Sequence, residues 1–300
     1  MNNHTRRALL ALLLSSAFFF SSCSKSTVKR YPFTGRVVSI DAQAQSAIID
    51  GDAIPGFMDA MPMPYKFKPA ETLNHLLPGD AISAEVVVVQ SKNDDVHPPD
   101  YWLENVKVTA HIDASHATGA NSLHMPAPGE DVPDFSFTNQ NAKHITLKQY
   151  RGNFLLVTFI YTRCPFPDFC PRMSSNFADI YKQIATNPDL AGTRLLSITF
   201  DPEHDTPKVL RDYGFSVAHT HDPALFKHWE FAAPNAADLP RLADFFALTI
   251  KPEGGTITHN LSTAVIGPDG KIVKWYHGND WQPSDLIKDV TEARKERPSA

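Results

Sequence analysis

Cysteine is scarce in this chain: three residues in 300, at positions 23, 164 and 170. That number excludes a disulfide-stapled scaffold and a four-cysteine zinc site. Basic charge is not in excess either. The 28 Lys and Arg face 33 Asp and Glu, for a formal net charge of −5, so there is no electrostatic case for nucleic-acid binding. Glycine is sparse at 14 against 24 prolines, which points to many fixed turns and away from a helical bundle. Beyond the amino terminus, no segment approaches the roughly 18 uninterrupted apolar residues of a membrane-spanning helix. What is present is a globular composition, 42% hydrophobic and 20% charged, on a length that suits two domains.

Residues 1–23 read as an export signal. Arg6 and Arg7 precede an uncharged, largely apolar stretch from Ala8 to Phe20, then Ser21, Ser22 and Cys23. Those thirteen residues are too few to cross a hydrocarbon core of about 30 Å, but they suit a signal core. The small residues before Cys23 resemble the lipobox of bacterial lipoproteins, in which the cysteine carries the lipid. Phe20 stands where that box usually has Leu. Export places the mature chain in an oxidising compartment. Cys164 and Cys170 are then the remaining thiols, and they read as a disulfide, a redox pair or a metal site.

The chain divides by pattern. Residues 33–110 hold five short β-type runs: 37–40, 47–49, 61–67, 81–89 and 102–108. Five strands in roughly 80 residues, with no helical period, predict a small all-β barrel of OB type. Residues 111–129 are rich in Ala, Ser, His, Gly and Pro and read as a solvated linker. Metal binding by His111, His116 and His124 is the weaker account of that segment.

From 130 to 297 strands alternate with helices. Phe154–Tyr161 is a nearly continuous apolar run, as expected of a strand buried on both faces. A helix is expected over 174–185, a strand over 195–200, a helix capped by Thr206 and Pro207, and a helix over 239–246. A hairpin of 261–266 and 271–276 and a closing helix over 284–294 complete the domain. This order predicts a thioredoxin-like α/β domain with a mixed sheet.

Cys164-Pro165-Phe166-Pro167-Asp168-Phe169-Cys170 lies between the buried strand and the next helix. A helix amino terminus turns free N–H groups toward the thiols and favours thiolate. The prolines stiffen the loop. Two thiolates are soft ligands for Cu(I) or Zn(II). Adding one imidazole gives a three-coordinate set, which copper accepts more readily than zinc.

Three spaced motifs in residues 130–297 resemble the Sco/SenC family of copper-binding, thioredoxin-like proteins. They are Phe159-Ile160-Tyr161-Thr162-Arg163-Cys164 running on to Cys170-Pro171, then Ser197-Ile198-Thr199-Phe200-Asp201-Pro202-Glu203-His204-Asp205-Thr206-Pro207, and finally Thr258-His259 before the hairpin. The resemblance implies copper held by Cys164, Cys170 and His259, and a respiratory oxidase copper subunit as client. The commoner family motif places three residues between its cysteines, whereas here five intervene. Asp201 and Asp205 read first as turn and cap residues, with a role at the redox site the weaker account. His204, His221 and His277 read as surface residues.

Three of the five methionines after the initiator are Met58, Met61 and Met63. On a strand Met61 and Met63 share a face, and thioethers hold Cu(I) where thiols oxidise. The plainer account is adaptable core packing. The stretch Ile54 to Tyr65 resembles the copper-binding OB domain of the periplasmic Cus efflux chaperone, which shares Cu(I) between a histidine and two spaced methionines. Asp50, Gly51 and Asp52 stand where that histidine is expected. An all-thioether site, or one completed by Asp52, is the expected result.

The leading expectation is therefore an exported, lipid-anchored periplasmic copper metallochaperone. The alternative is a thiol–disulfide oxidoreductase that uses Cys164 and Cys170 to reduce client cysteines before metal loading. A peroxidase ranks lower, because no Pro-x-x-x-Thr-x-x-Cys arrangement precedes Cys164.

Overall fold

The structure is a computed structural model that describes residues 27–41, 45–58, 60–90, 100–111, 124–184, 186–253 and 256–296. The export signal, Cys23 and His116 lie outside the described residues.

The first sheet is built from β1 (Thr27–Asp41), β2 (Ser46–Gly51), β3 (Met61–Lys66), β4 (Asp80–Gln90) and β5 (Asp100–His111). All pairings are antiparallel, in the order β3-β2-β1-β4-β5. Phe67 bridges Leu103, so the two ends of the sheet meet and the strands close as a small OB-type barrel. Phe33, Val37, Ile49, Tyr65, Ile82, Val86 and Leu103 fill it. All five strands fall where the alternation of apolar residues put them, though β1 begins ten residues earlier than expected. Among the described residues one short 3-10 turn, Ala70–His75, interrupts the β structure.

Pro62 and Pro64 alternate along β3, which is why this strand tolerates them. Residues 62 and 64 repeat with the two-residue period of the strand, so both missing N–H groups fall on the same side of it, away from the ladder with β2.

The second sheet has the order β14-β13-β8-β9-β10-β6-β7. Its strands are β6 (Ser136–Asn139), β7 (His144–Thr146), β8 (Phe154–Ile160), β9 (Thr193–Thr199), β10 (Trp229–Pro234), β13 (Ser262–Ile266) and β14 (Ile272–His277). The central pairs β8–β9 and β9–β10 are parallel and the rest antiparallel. Every residue of β8 is buried, as its uninterrupted apolar run requires. Helices α1 (Cys170–Ile184), α2 (Pro207–Val217), α3 (Leu239–Phe245) and α4 (Pro283–Glu296) complete a thioredoxin-like α/β unit.

A two-stranded ribbon, β11 (Ile250–Glu253) with β12 (Thr256–His259), ends on His259. This ribbon and strands β6, β7 and β10 had no clear sequence signal. They are short, and β11 carries a proline. His124, expected in a solvated linker, stacks on Phe245 at 4.8 Å and bonds the Phe245 carbonyl and Glu130. The chain has therefore joined the second unit by that residue.

Candidate metal centre

Strand β8 delivers the chain to the centre of the sheet and stops at Ile160. Thr162 and Arg163 lead out to Cys164, and after five intervening residues the chain turns into α1, whose first residue is Cys170. The helix begins four residues ahead of its expected start, so Cys170 sits in the field of the helix amino terminus. Cys164 is partly exposed, Cys170 is fully buried, and both are free thiols.

His259 enters from the ribbon. Its Nδ1 lies 2.7 Å from the Asn260 carbonyl. A carbonyl only accepts, so Nδ1 carries the ring proton and Nε2 keeps its lone pair. Nε2 is 3.6 Å from the Cys170 sulfur. The two sulfurs and a ring nitrogen of His259 all lie within 4.8 Å of one another. Phe200, Tyr161 and Phe169 surround the imidazole with centroid distances of 4.6, 5.6 and 5.9 Å. The looped five-residue spacing thus still brings both thiols and the imidazole to one point.

The two thiols are electrostatically unequal. A hydrogen bond from Cys170 is the main cause that lowers the Cys164 pKa, to about 4. Burial raises that of Cys170 well above the ordinary thiol value, and the neighbouring Cys164 adds to the rise. The arrangement is a Cys164 thiolate accepting from a protonated Cys170. Cys164 opens onto a groove of about 300 Å³ lined by Tyr161, Pro171, Tyr213, Val217 and His219.

Asp201 closes the expected turn, its carbonyl accepting from the His204 and Asp205 N–H groups, and the side chains of Asp201 and Asp205 add the contacts of the weaker account. Thr206 caps α2, its hydroxyl accepting from the Val209 N–H. Asp205 is buried and accepts from the Thr162 N–H at 3.1 Å, the Thr162 hydroxyl at 2.5 Å and the Thr199 hydroxyl at 2.5 Å. Asp201, also buried, pairs with Arg163 at 2.6 Å and His204 at 2.9 Å. The two carboxylates therefore anchor the residues that immediately precede Cys164. In sequence alone a role at the cysteine site is the weaker account of these acids, because no local pattern joins them to the Thr162-Arg163-Cys164 segment.

His277 is likewise not a surface residue. Its Nδ1 is buried without a hydrogen-bond partner of good geometry, and burial lowers its pKa to about 4. His221 is exposed, as expected.

In the barrel, Met61 and Met63 share one face of β3, opposite Gly51 and Ile49 of β2. Met58 and Met63 pack against the barrel core, and the Tyr65 hydroxyl approaches the Met58 sulfur at 3.7 Å. Met61 is buried but belongs to neither apolar core. Asp52 is exposed and accepts from the Thr34 hydroxyl at 2.5 Å. Asp50 is half-buried, and its carboxyl pKa is raised chiefly by that burial.

Residues 125–295 match the family model for SCO1/SenC, and residues 30–96 match that for the copper binding periplasmic protein CusF. The chain is 34% identical over 183 residues to the SCO1 protein homolog of Bacillus subtilis strain 168, covering 59% of this chain and 89% of that protein. It is 25% identical over 151 residues to the mitochondrial SCO1 homolog of Homo sapiens, a match over 48% of this chain and only 47% of that longer protein. Among solved structures, a SCO1/SenC family lipoprotein from Bacillus anthracis str. Ames aligns with a TM-score of 0.48 at 26% identity, covering 57% of this chain and 98% of that chain. BsSco, described as a member of the Sco family of cytochrome c oxidase assembly proteins, aligns with a TM-score of 0.47 at 31% identity over 57% of this chain and 98% of its own.

Proposed function

This chain belongs to the SCO1/SenC family, and from that premise we propose that it is a copper metallochaperone that holds Cu(I) on Cys164, Cys170 and His259. The observation that carries the reading is the convergence of two sulfurs and a ring nitrogen within 4.8 Å. Soft thiolates select Cu(I), and three ligands suit it better than they suit a structural zinc. The aromatic wall shields the His259 imidazole from solvent, while Cys164 stays open to the groove. The Asn260 carbonyl fixes the tautomer that leaves Nε2 free, as outer partners of metal-binding histidines commonly do.

Delivery proceeds by ligand exchange, in which an acceptor's soft ligands approach over the exposed Cys164 and displace the protein's ligands one at a time. The client is the copper centre of a respiratory oxidase, a reading supported by what relatives are described as assembling. The chain is exported to the periplasm and anchored through lipid on Cys23. Met58, Met61 and Met63 form a second, weaker Cu(I) site in the barrel. Anaerobic Cu(I) titration of the reduced chain against a calibrated competing chelator tests the assignment. Two equivalents are expected, with one lost in the Cys164→Ser/Cys170→Ser variant and the other in Met61→Leu/Met63→Leu.

A second reading, thiol–disulfide exchange, draws on the inequality of the two thiols. A partly exposed thiolate of low pKa beside a buried protonated partner is the arrangement of an attacking and a resolving cysteine. Copper titration separates the two readings. A pair that takes no copper but cycles readily with a dithiol would leave the reductase.

A further inference from the structure

His259 stands on a weak element. The ribbon of β11 and β12 has four paired positions, from Ile250–His259 to Glu253–Thr256, and among the described residues it pairs with no other strand. An isolated two-stranded ribbon is marginally stable at best, and Pro252 brings no N–H to this one. Ile257 and His259 occupy alternate positions of β12 and are both buried, so they share the face turned toward the domain. A ligand carried on such a ribbon is only as well placed as the ribbon's base.

One buried side chain holds that base. The main-chain N–H of Asn260 donates to the Thr249 carbonyl at 3.3 Å, and its Oδ1 accepts from the Thr249 N–H at 2.9 Å. The side chain thus completes the pair of bonds that a further strand residue would make. Its Nδ2 donates to the Ala247 carbonyl at 2.7 Å and faces Nε2 of His277 at 3.4 Å. These partners fix which way the amide points, because a main-chain N–H only donates and a carbonyl only accepts. His277 is itself held on its other side, where its ring meets the Pro62 carbonyl of β3. At that junction Lys66 pairs with Asp280 at 3.3 Å, and the Pro64 ring lies where a Cβ on Gly278 would come within 3.1 Å.

Ala247 shows how closely the base is shaped. It follows α3 with φ +52°, a left-handed conformation unfavourable for any residue with a Cβ. It is fully buried, and its carbonyl is the group that accepts from Asn260. The consequence reaches His259 through the backbone. The Asn260 carbonyl accepts from His259 Nδ1 at 2.7 Å, so the residue pinned by Thr249, Ala247 and His277 is also the one that orients the imidazole. Phe200, Tyr161 and Phe169 pack around the ring, but apolar contacts do not choose which ring edge carries the proton. A hydrogen bond to Nδ1 does.

Resting on the copper-carrier reading, we propose that Asn260 is the positioning residue of the metal centre: its side chain fixes the base of the ribbon, and its carbonyl thereby holds His259 with an unprotonated Nε2 toward Cys170. Asn260 touches neither sulfur in this role and acts through His259. Losing its side chain leaves the carbonyl in the chain but frees the segment that aims it. The ring then samples the other tautomer, whose Nε2–H cannot bind Cu(I).

Two measurements on the full chain test this. In the reduced, metal-free chain at mildly alkaline pH, the ring-nitrogen resonances of wild-type His259 should show the Nδ1–H tautomer. In Asn260→Ala the Nε2–H tautomer should appear beside it. Asn260→Asp keeps an acceptor for Thr249 but has no donor for Ala247, and should change in the same direction, which preserves the test if Asn260→Ala does not fold. A His259 that keeps the wild-type tautomer in the folded variants overturns the proposal. Competition with a calibrated chelator then reads Cu(I) affinity, which should fall at least about 10-fold in each variant, as for other outer partners of metal ligands. In a His259→Ala background the same substitutions should cost nothing further, because Asn260 acts through that ring. An equal loss with and without His259 would make Asn260 a residue of general stability and overturn the proposal, as would wild-type affinity in both variants. A wild-type chain that takes no Cu(I) on its cysteines would sink the carrier reading instead, while the tautomer of His259 in the metal-free chain would still decide the role of Asn260.

Discussion

The Nε2 atom of His259 lies 3.6 Å from the Cys170 sulfur, while the proton on the opposite ring nitrogen is committed to the Asn260 carbonyl at 2.7 Å. The imidazole therefore presents a lone pair to the thiols without any tautomer change. His259→Ala removes that ligand and leaves two sulfurs. Its Cu(I) affinity should fall at least about 100-fold, the upper end of what loss of a mere outer partner costs. Chelator competition reads the change, and an undiminished affinity would take His259 out of the site.

The thiol asymmetry makes a pH prediction. Thiolate is the nucleophile, and with its pKa lowered to about 4, Cys164 stays ionised well below neutrality. Its alkylation rate should hold nearly level from pH 7 to pH 5, where an ordinary thiol slows about 100-fold. Cys170, buried and pushed the other way, should react only after unfolding. Cys170→Ala deletes the S–H donor, so the Cys164 midpoint should rise toward the ordinary range. Cys170→Ser retains an O–H donor and should keep the midpoint low. Equal midpoints in the two variants would show that Cys170 is not the cause.

Asp205 gives a stability prediction. Its buried carboxylate accepts three hydrogen bonds from Thr162 and Thr199, and Asp205→Ala leaves those donors without a partner. A loss of about 3 kcal/mol is expected in denaturant unfolding, in line with breaking a buried charged network. Because Thr162 lies two residues before Cys164, the pH profile of Cys164 alkylation should shift as well. A purely structural role elsewhere would leave that profile in place.

Most of this architecture was legible in the sequence because apolar period reports burial directly. The uninterrupted run of β8, the Thr206-Pro207 start of α2 and the hairpin of β13 and β14 each follow from local chemistry. His259 and the cysteines were found through their motif, since 89 residues separate Cys170 from His259 and no local pattern joins them. What escaped was set by tertiary contact. Asp205 looks like any acid before a helix until Thr162 is folded beside it. His277 carries no sign of burial, because a strand-end histidine after Trp275 and Tyr276 is usually solvated. Only its packing against Pro62 and Asn260 makes it different.

That packing predicts an acid-sensitive junction. Burial lowers His277 from 6.5 to about 4, so between those pH values the ring is neutral when docked and protonated when released. The released state then binds more protons, and docking weakens as pH falls through this window, by at most about 3 kcal/mol from this group. The groups facing the ring are the Pro62 carbonyl, the Asn260 amide and the Trp275 ring, none of which ionises. The nearby Lys66–Asp280 pair is exposed and contributes little. The Gly278 amide resonance, from the residue that sits against Pro64, followed from pH 7 to pH 4, should report loss of the contact in the wild type. In His277→Gln, which takes up no proton, the transition should flatten. An identical transition in both proteins would mean that some other group governs the junction.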